Sequence, residues 1–202
     1  MSDMLLGVIV LVPFLVFIFV AGYFIYKFKN ARLASAWGPL VGLVNDVTIA
    51  GDGGGGASSW LTGTYRGRPI AAKLAPKLNK HEDGGDHYNY FDVALRQTLG
   101  KVDWNVGYNR AILGMGQSGW QVKAKDATLE AALRAAGVAA LVAPFGETPA
   151  HFIGESLTYS AREQLLRYQT DITPRVAPMP QEFTALLDML FQVDEINRRV
   201  NQ

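Results

Sequence analysis

The amino-acid sequence contains no cysteine and only three histidines among its 202 residues. Without a thiol, the chain cannot hold a disulfide, an iron–sulfur cluster, a thiolate zinc site or a cysteine nucleophile. An excess of one charge is also missing, because 19 basic side chains are balanced by 18 acidic ones. No basic block of the size that nucleic acid requires is present, so the sequence predicts no nucleic-acid partner.

A long apolar run stands near the beginning of the chain. From Met4 to Tyr26 there is no charged side chain, and Lys27, Lys29 and Arg32 follow closely. A helix rises about 1.5 Å per residue, so this run would be roughly 35 Å long and would cross a hydrocarbon layer of ~30 Å with some tilt. We therefore expect residues 1–30 to be a transmembrane anchor in a lipid bilayer.

A cleaved signal peptide is the alternative interpretation of this run. Ala34-Ser35-Ala36 has the small residues of a cleavage site, but residues 1–3 carry no Lys or Arg. The run also exceeds the length of about 7–15 residues that is usual for the apolar part of a signal peptide. An uncleaved anchor is therefore the interpretation that the sequence favours.

The charges beside the run predict its orientation. Asp3 alone precedes the run and all the nearby cations follow it, and positively charged flanks stay on the cytoplasmic side. We expect the N-terminus to lie outside the inner membrane and the rest of the chain to be cytoplasmic. Aromatic rings with a polar atom suit the water–lipid interface as well. The candidate interface residues are Tyr23, Tyr26, Lys27, Lys29, Arg32 and Trp37.

Residues 31–57 are predicted to be a juxtamembrane amphipathic segment followed by a Gly-rich linker. The amphipathic part could lie along the bilayer surface or form the first helix of the core, and Gly38-Pro39 interrupts its middle. Gly51–Gly56 breaks regular structure, and it lacks the Lys-Ser/Thr that follows the glycines of a phosphate-binding loop, which favours a flexible spacer. The apolar residues that share one face of the amphipathic part are Leu33, Trp37, Leu40 and Val44.

The remaining residues, 58–202, are predicted to form one cytoplasmic α+β domain. Apolar and polar residues alternate in several segments, which is typical of half-buried antiparallel strands. Arg66-Gly67-Arg68-Pro69 separates the first two of these segments and predicts a hairpin turn. The predicted strands are Ser59–Tyr65, Ile70–Ala75, Tyr88–Leu99, and segments around 102–108 and 120–124; a hairpin is expected around His151–Tyr159.

Two helices are expected to cover the sheet, with a third segment left open. Asp126 is a candidate N-cap for a helix over 127–142, with Leu129, Leu133, Ala136 and Ala140 on its buried side. A final helix begins near Pro180 and carries an apolar stripe as far as Val193. Residues 161–171 could be helix or strand. The predicted architecture is an antiparallel sheet packed by two or three helices.

One segment is rich in groups that bind metals. His81-Glu82-Asp83-Gly84-Gly85-Asp86-His87 has two imidazoles and three carboxylates, but its spacing matches no zinc or calcium motif, and its glycines provide no rigid frame. A solvated loop is the favoured interpretation, with His81, Asp83 and His87 as weak metal candidates. No Gly-x-Ser-x-Gly elbow is present, and we predict no catalytic residue and no cofactor. Asp194-Glu195, beside Arg198 and Arg199, are predicted to form surface ion pairs.

Aromatic residues lie on most of the predicted strands. They could pack within one core, or one face of the sheet could bind another subunit, since aromatic residues and Arg are enriched in interfaces. The hairpin tip could contact a partner or anionic lipid. The candidate contact residues are Tyr65, Arg66, Arg68, Tyr88 and Tyr90.

The order of these segments is similar to that of bacterial single-pass membrane proteins, a resemblance that includes no motif of known chemistry. The expected function is a non-enzymatic accessory or scaffolding subunit of a larger membrane complex, photosynthetic or respiratory, which binds the bilayer and other subunits. The alternative is a membrane-tethered enzyme or a ligand- or metal-binding domain that uses the His81–His87 loop.

Overall fold

The computed structural model describes residues 2–51, 58–78, 87–109, 119–145, 156–172 and 177–201. Side chains are described within these ranges except at 2–13, 29–30, 32–34, 76–78, 87–89 and 171–172. The helices are α1 (Ser2–Val41), α2 (Ala127–Ala135), α3 (Val138–Val142) and α4 (Pro180–Val200), with a 3-10 turn at Ala143–Phe145. The strands are β1 (Asn45–Gly51), β2 (Ser59–Tyr65), β3 (Arg68–Leu78), β4 (His87–Arg96), β5 (Trp104–Asn109), β6 (Gly119–Ala124), β7 (Ser156–Ser160) and β8 (Leu165–Ile172).

The strands form one eight-stranded sheet in the order β1-β2-β3-β4-β8-β7-β5-β6. Every pair is antiparallel. The first four strands follow one another as a meander, and the β7–β8 hairpin lies between β4 and the β5–β6 hairpin. The α+β fold with an antiparallel sheet that the alternation predicted is therefore confirmed.

The turn that the sequence predicts between β2 and β3 is present but shorter, since Arg68 and Pro69 belong to β3. Tyr65 pairs with Arg68, which leaves a two-residue loop, and Arg66 and Gly67 have φ values of 49° and 75°. Positive φ at both central positions is the geometry of a type I′ turn, whose twist matches that of the adjoining strands. The turn fixes the register of the hairpin.

The sheet has two different faces. We call the face that packs on the helices the core face; it carries alternate buried residues such as Leu61, Val93 and Val106. The residues between them are mostly half-buried or exposed and form what we call the open face, which includes Lys73 and Asp92. All the described helices contribute buried apolar residues to the single core on the other face.

The predicted helix over 127–142 is divided in two. Asp126 caps its start as expected, since its carboxylate accepts hydrogen bonds from the backbone N–H groups of Thr128 and Leu129. Gly137 then adopts a φ of 75°, a left-handed conformation that ends α2 before α3 begins. Because of this break, Ala136 and Ala140 are exposed and do not join Leu129 and Leu133 in the core.

The ambiguous segment 161–171 is a turn followed by a strand. Residues 161–164 form the turn of the β7–β8 hairpin, and β8 follows it. The Ser160 hydroxyl accepts a hydrogen bond from the N–H of Glu163 at 3.3 Å. The same hydrogen bond would cap a helix, but here it stabilises a turn. The helix that begins at Pro180 and its buried stripe are confirmed.

The segment 31–57 contains more of the folded domain than the sequence predicts. Helix α1 continues through Gly38 and Pro39 to Val41, and Trp37 and Leu40 are completely buried in the core. Strand β1, which the sequence does not predict, pairs with β2. The glycine run, most of which lies outside the described residues, therefore joins two adjacent strands rather than separating α1 from the domain.

Among the residues whose side chains are described, no single helix is both long and apolar enough to cross a membrane. The apolar part of α1 within that range is Phe14–Phe28. Helices α2 and α3 with the following turn pass the same test only as a pair bent by 57°.

Candidate functional site

The apolar part of α1 is exposed around its whole circumference. Phe14, Phe17, Phe19 and Phe28 are between 60% and 76% exposed, and the residues between them are also exposed, apart from the half-buried Ala21. Monomeric soluble proteins rarely expose so large a contiguous apolar surface, which normally marks contact with a membrane or another protein.

The candidate interface residues of α1 occupy two different environments. Tyr23 and Tyr26 are 60% and 64% exposed, and Lys27 is exposed beside them. At Lys29 and Arg32 only the backbone of α1 is described. Trp37, however, is completely buried, and its indole N–H donates a hydrogen bond to the Ser59 hydroxyl at 3.2 Å.

Trp37 therefore does not lie at the interface to which the sequence pattern assigned it. Its ring lies 6.4 Å from that of Phe91, which in turn lies 6.2 Å from that of Phe183 on α4. An amphipathic residue at a helix end suits either a lipid interface or a core. For Trp37 the Ser59 hydroxyl favours the core, because it accepts the hydrogen bond that a buried indole N–H needs.

The β2–β3 hairpin tip packs on α4. The Tyr65 hydroxyl donates a hydrogen bond to Asp188 at 3.2 Å, and the Arg66 guanidinium pairs with the same carboxylate at 2.9 Å. Burial, followed by the nearby Asp188 carboxylate, raises the pKa of the Tyr65 phenol. The Arg68 guanidinium lies over the ring of Phe191 at 5.5 Å. The structure thus gives these three partner candidates contacts within the chain.

Arg68 also belongs to a buried polar cluster one to two turns farther along α4. Its guanidinium is bonded to the carboxylate of Asp194, which is only 2% exposed, and to the backbone carbonyls of Arg96 and Gln97. Arg198 donates to the same carboxylate at 2.8 Å. The predicted surface pairing is therefore wrong for Asp194, whereas the pair between Glu195 and Arg199 is exposed as expected.

The spacing on α4 could have revealed this cluster. Asp194, Asn197 and Asn201 follow Leu190 at offsets of four, three and four residues, so they continue the buried face of the helix. A polar residue in the stripe of an amphipathic helix indicates a buried hydrogen-bond partner. Asn197 and Asn201 bind the connection between β4 and β5, through the carbonyl of Leu99 and the N–H of Lys101.

The open face of the sheet carries a partly buried acid among cations and aromatic rings. Trp60, Lys73, Asp92 and Gln169 lie in one row across β2, β3, β4 and β8. The Lys73 ammonium lies 5.9 Å from the centre of the Tyr90 ring. Of these residues, the sequence predicted only Tyr90 as a contact candidate.

Asp92 is the unusual group in this row. Its side chain is 14% exposed, and the Arg167 guanidinium on the neighbouring strand lies 3.8 Å from its carboxylate. Burial raises the pKa of Asp92 to about 6, although the positive charges of Arg167 and Lys73 lower it. The carboxyl group would therefore change its charge in mildly acidic solution.

An open groove of about 590 Å³ lies beside this row on β5, β6, β7 and β8. Its walls include Lys123, Lys125 and Arg167, opposed by Asp103 and Glu163. The Asp103 carboxylate accepts a hydrogen bond from the N–H of Ala161 at 2.8 Å, which lowers its pKa, as does Lys125. The open face is thus polar, with more positive than negative side chains in this part.

The metal candidates cannot be placed in the same way. His81 and Asp83 lie outside the described residues, and at His87 and Tyr88 only the backbone of β4 is described. Within the described part of the chain, no group of three or more potential ligands could hold a metal ion.

Comparisons with protein-family models, with curated proteins and with solved structures found no match. The function of the chain is therefore inferred from its own residues.

Proposed function

We propose that this protein is a membrane-anchored accessory or scaffolding subunit without catalytic activity, held by α1 as a single transmembrane helix. The observation that supports this proposal best is the exposed apolar surface of Phe14–Phe28 on a helix that continues into the core of the domain. Such a surface needs a covering, and the chain provides none among the described residues. The uncharged run Met4–Tyr26 is long enough for a hydrocarbon layer, and lipid is the covering we propose.

The residues at the end of the run support a defined orientation. Tyr23 and Tyr26 lie about one turn and one residue before Lys27, in the order that suits the passage from hydrocarbon to headgroups. With Lys29 and Arg32 they form a flank that is retained in the cytoplasm. In this proposal the N-terminus is outside the inner membrane and the domain is cytoplasmic.

The open face is the proposed site for another subunit of the complex. Trp60 and Tyr90 provide aromatic contact area on this face. Its cations Lys73, Lys123, Lys125 and Arg167 outnumber the acids Asp92, Asp103 and Glu163 by a small margin. Charge complementarity favours a partner with an acidic surface. Photosynthetic and respiratory complexes are the membrane assemblies in which we would look for it.

Two fractionation experiments test the proposal. Membranes washed with alkaline carbonate should retain the intact chain, since an embedded helix resists this treatment and a peripheral protein does not. After mild-detergent extraction, native electrophoresis should show the chain in a species much larger than its 22.1 kDa mass. Release by carbonate would contradict the anchor, and migration only as the free monomer would contradict the role of subunit.

A pair of arginine variants tests the open face. Arg167 lies on β8 in the open face, and Arg162 lies exposed in the β7–β8 turn. Arg167→Ala should weaken the large species, whereas Arg162→Ala should leave it unchanged. Equal effects of the two substitutions would show that the open face is not the binding surface.

A further inference from the structure

Helix α1 has a fixed direction relative to the sheet. Trp37 is hydrogen-bonded to Ser59 at the start of β2, whereas Val44, just after the helix, packs on Gly63 near the end of β2. A Cβ atom added to Gly63 would lie only 2.5 Å from Val44 Cγ1. The end of α1 therefore runs along β2 in the direction of that strand, and the rest of the helix leaves the domain at the Ser59 end of the sheet.

Strands β3 and β4 extend beyond Ser59 in the direction of the anchor. Ser59 is level with Leu74 on β3 and, through it, with Phe91 on β4. The β3–β4 pairing continues past this row to Leu78 and His87. Four residues of strand add about 13 Å, or nearer 10 Å along the helix axis once the sheet twist is included.

The lengths of the two elements can be compared. Trp37 follows Tyr26, the last residue of the uncharged run, by about 16 Å of helix. Helical side chains lean toward the N-terminus, so the row of Ser59 lies no farther than this from the hydrocarbon edge. Leu78 and His87 then lie within about 3–6 Å of that edge, and the headgroup layer on each side is about 5–7 Å thick.

We infer that the paired ends of β3 and β4, at Leu78 and His87, lie in the lipid headgroup layer, as a second membrane contact beside α1. The inference rests on the proposed function, because it needs α1 to span the bilayer.

The opposite end of the sheet points away from the bilayer. His87 and Arg96 are the two ends of β4, about 30 Å apart, and Arg96 pairs with Leu165 beside the β7–β8 turn. The Arg66–Arg68 hairpin tip lies at this far end too, since Tyr65 and Arg68 close β2 and β3 there. Contact between that tip and anionic lipid, which the sequence left open, is incompatible with this orientation.

The absence of cysteine allows a direct test with single labels. The full chain would carry a fluorophore at Phe19→Cys, His87→Cys or Arg162→Cys and be reconstituted in vesicles of phosphatidylcholine and phosphatidylglycerol. Lipids with a nitroxide on the acyl chain or on the headgroup would serve as quenchers. We expect loss of fluorescence at position 19 with the acyl-chain nitroxide, loss at 87 with the headgroup nitroxide, and little loss at 162.

The three labels separate the inference from the proposal beneath it. No quenching at position 19 would contradict the transmembrane anchor itself. Quenching at position 19, together with equal quenching by the headgroup nitroxide at positions 87 and 162, would contradict only the headgroup contact. Asn89→Cys, two residues farther along β4, provides a second label in case His87→Cys does not fold, and it should be quenched more than 162.

Discussion

The indole N–H of Trp104 on β5 donates a hydrogen bond of 2.8 Å to the side-chain oxygen of Asn197 on α4, and both residues are buried. The amide nitrogen of Asn197 donates to the backbone carbonyl of Leu99 at 2.7 Å. One side chain thus joins the last helix, the strand next to the β6 edge of the sheet, and the connection between β4 and β5. The Trp104 ring also stacks on Tyr159 at 5.8 Å.

Asn197→Leu should destabilise the domain, because it leaves the buried indole N–H of Trp104 without a partner and removes the hydrogen bond to the carbonyl of Leu99. A buried unsatisfied group costs about 1–3 kcal/mol. Urea unfolding of the full chain in mild detergent, followed by tryptophan fluorescence, measures the change. Gln192→Leu places the same side chain at an exposed position of α4 and should have a much smaller effect; equal losses would contradict the role given to Asn197.

Asp194→Ala should be among the most destabilising substitutions on α4. It leaves Arg68, whose side chain is 18% exposed, with its charge largely uncompensated, and breaking a buried ion pair costs about 3–5 kcal/mol. Glu195→Ala is the matched control, because its partner Arg199 is exposed and such pairs contribute at most about 1 kcal/mol. Thermal unfolding of both variants would show the difference, and similar melting temperatures would disprove it.

Gly100→Ala should destabilise the domain by about 1–3 kcal/mol through overpacking. A Cβ atom at this position would lie 2.7 Å from Tyr159 Cε1 and 2.9 Å from the amide nitrogen of Asn197. Gly107 on β5 has open space where its Cβ would be, so Gly107→Ala should leave stability nearly unchanged. Denaturant midpoints of the two variants provide the measurement. An unchanged midpoint for Gly100→Ala would contradict the close packing of Gly100 against Tyr159 and Asn197.

Asp92→Asn should change how stability depends on pH. Burial raises the pKa of Asp92 from 3.8 to about 6 in the folded protein, so the folded state holds its proton more tightly than the unfolded state does. Stability contributed by this group is therefore lost as the pH rises from about 4 to about 6. The variant should exceed the parent in stability above pH 6, by at most about 3 kcal/mol, and the difference should disappear near pH 4.

Asp103→Asn provides a control of opposite sign for this pH dependence. The N–H of Ala161 and the ammonium of Lys125 lower the pKa of Asp103, so its stabilising effect is present at neutral pH and is lost in acid. Urea titrations between pH 3 and pH 8 should show the two variants diverging from the parent in opposite directions at neutral pH. Parallel curves would contradict the burial of Asp92.

The sequence predicted the elements whose signals are local. Alternation located β2 to β6, and Asp126 marked the start of α2. Arg66-Gly67-Arg68-Pro69 predicted the hairpin turn, although Arg68 and Pro69 belong to β3 in the structure. The segment 161–171 could not be resolved in the same way, because Ser160 makes the same hydrogen bond in a turn as at a helix start.

Other features depend on contacts distant in the chain. Strand β1 alternates only at Val47 and Ile49, which is too short a pattern to predict a strand, and it is held by its pairing with β2. The burial of Trp37 depends on Ser59 and Phe91, and that of Asp194 depends on Arg68. The exposed apolar helix could be recognised from composition alone, whereas the row containing Asp92 required the strand order.

The position of the glycine run has a mechanical consequence. Because the run joins β1 to β2, it does not lie between α1 and the sheet. The end of α1 is instead attached to the core by the buried side chains of Trp37 and Leu40. A domain that is joined to a helix by a flexible linker can rotate independently of that helix. In this protein a tilt or rotation of α1 changes the orientation of the sheet as well.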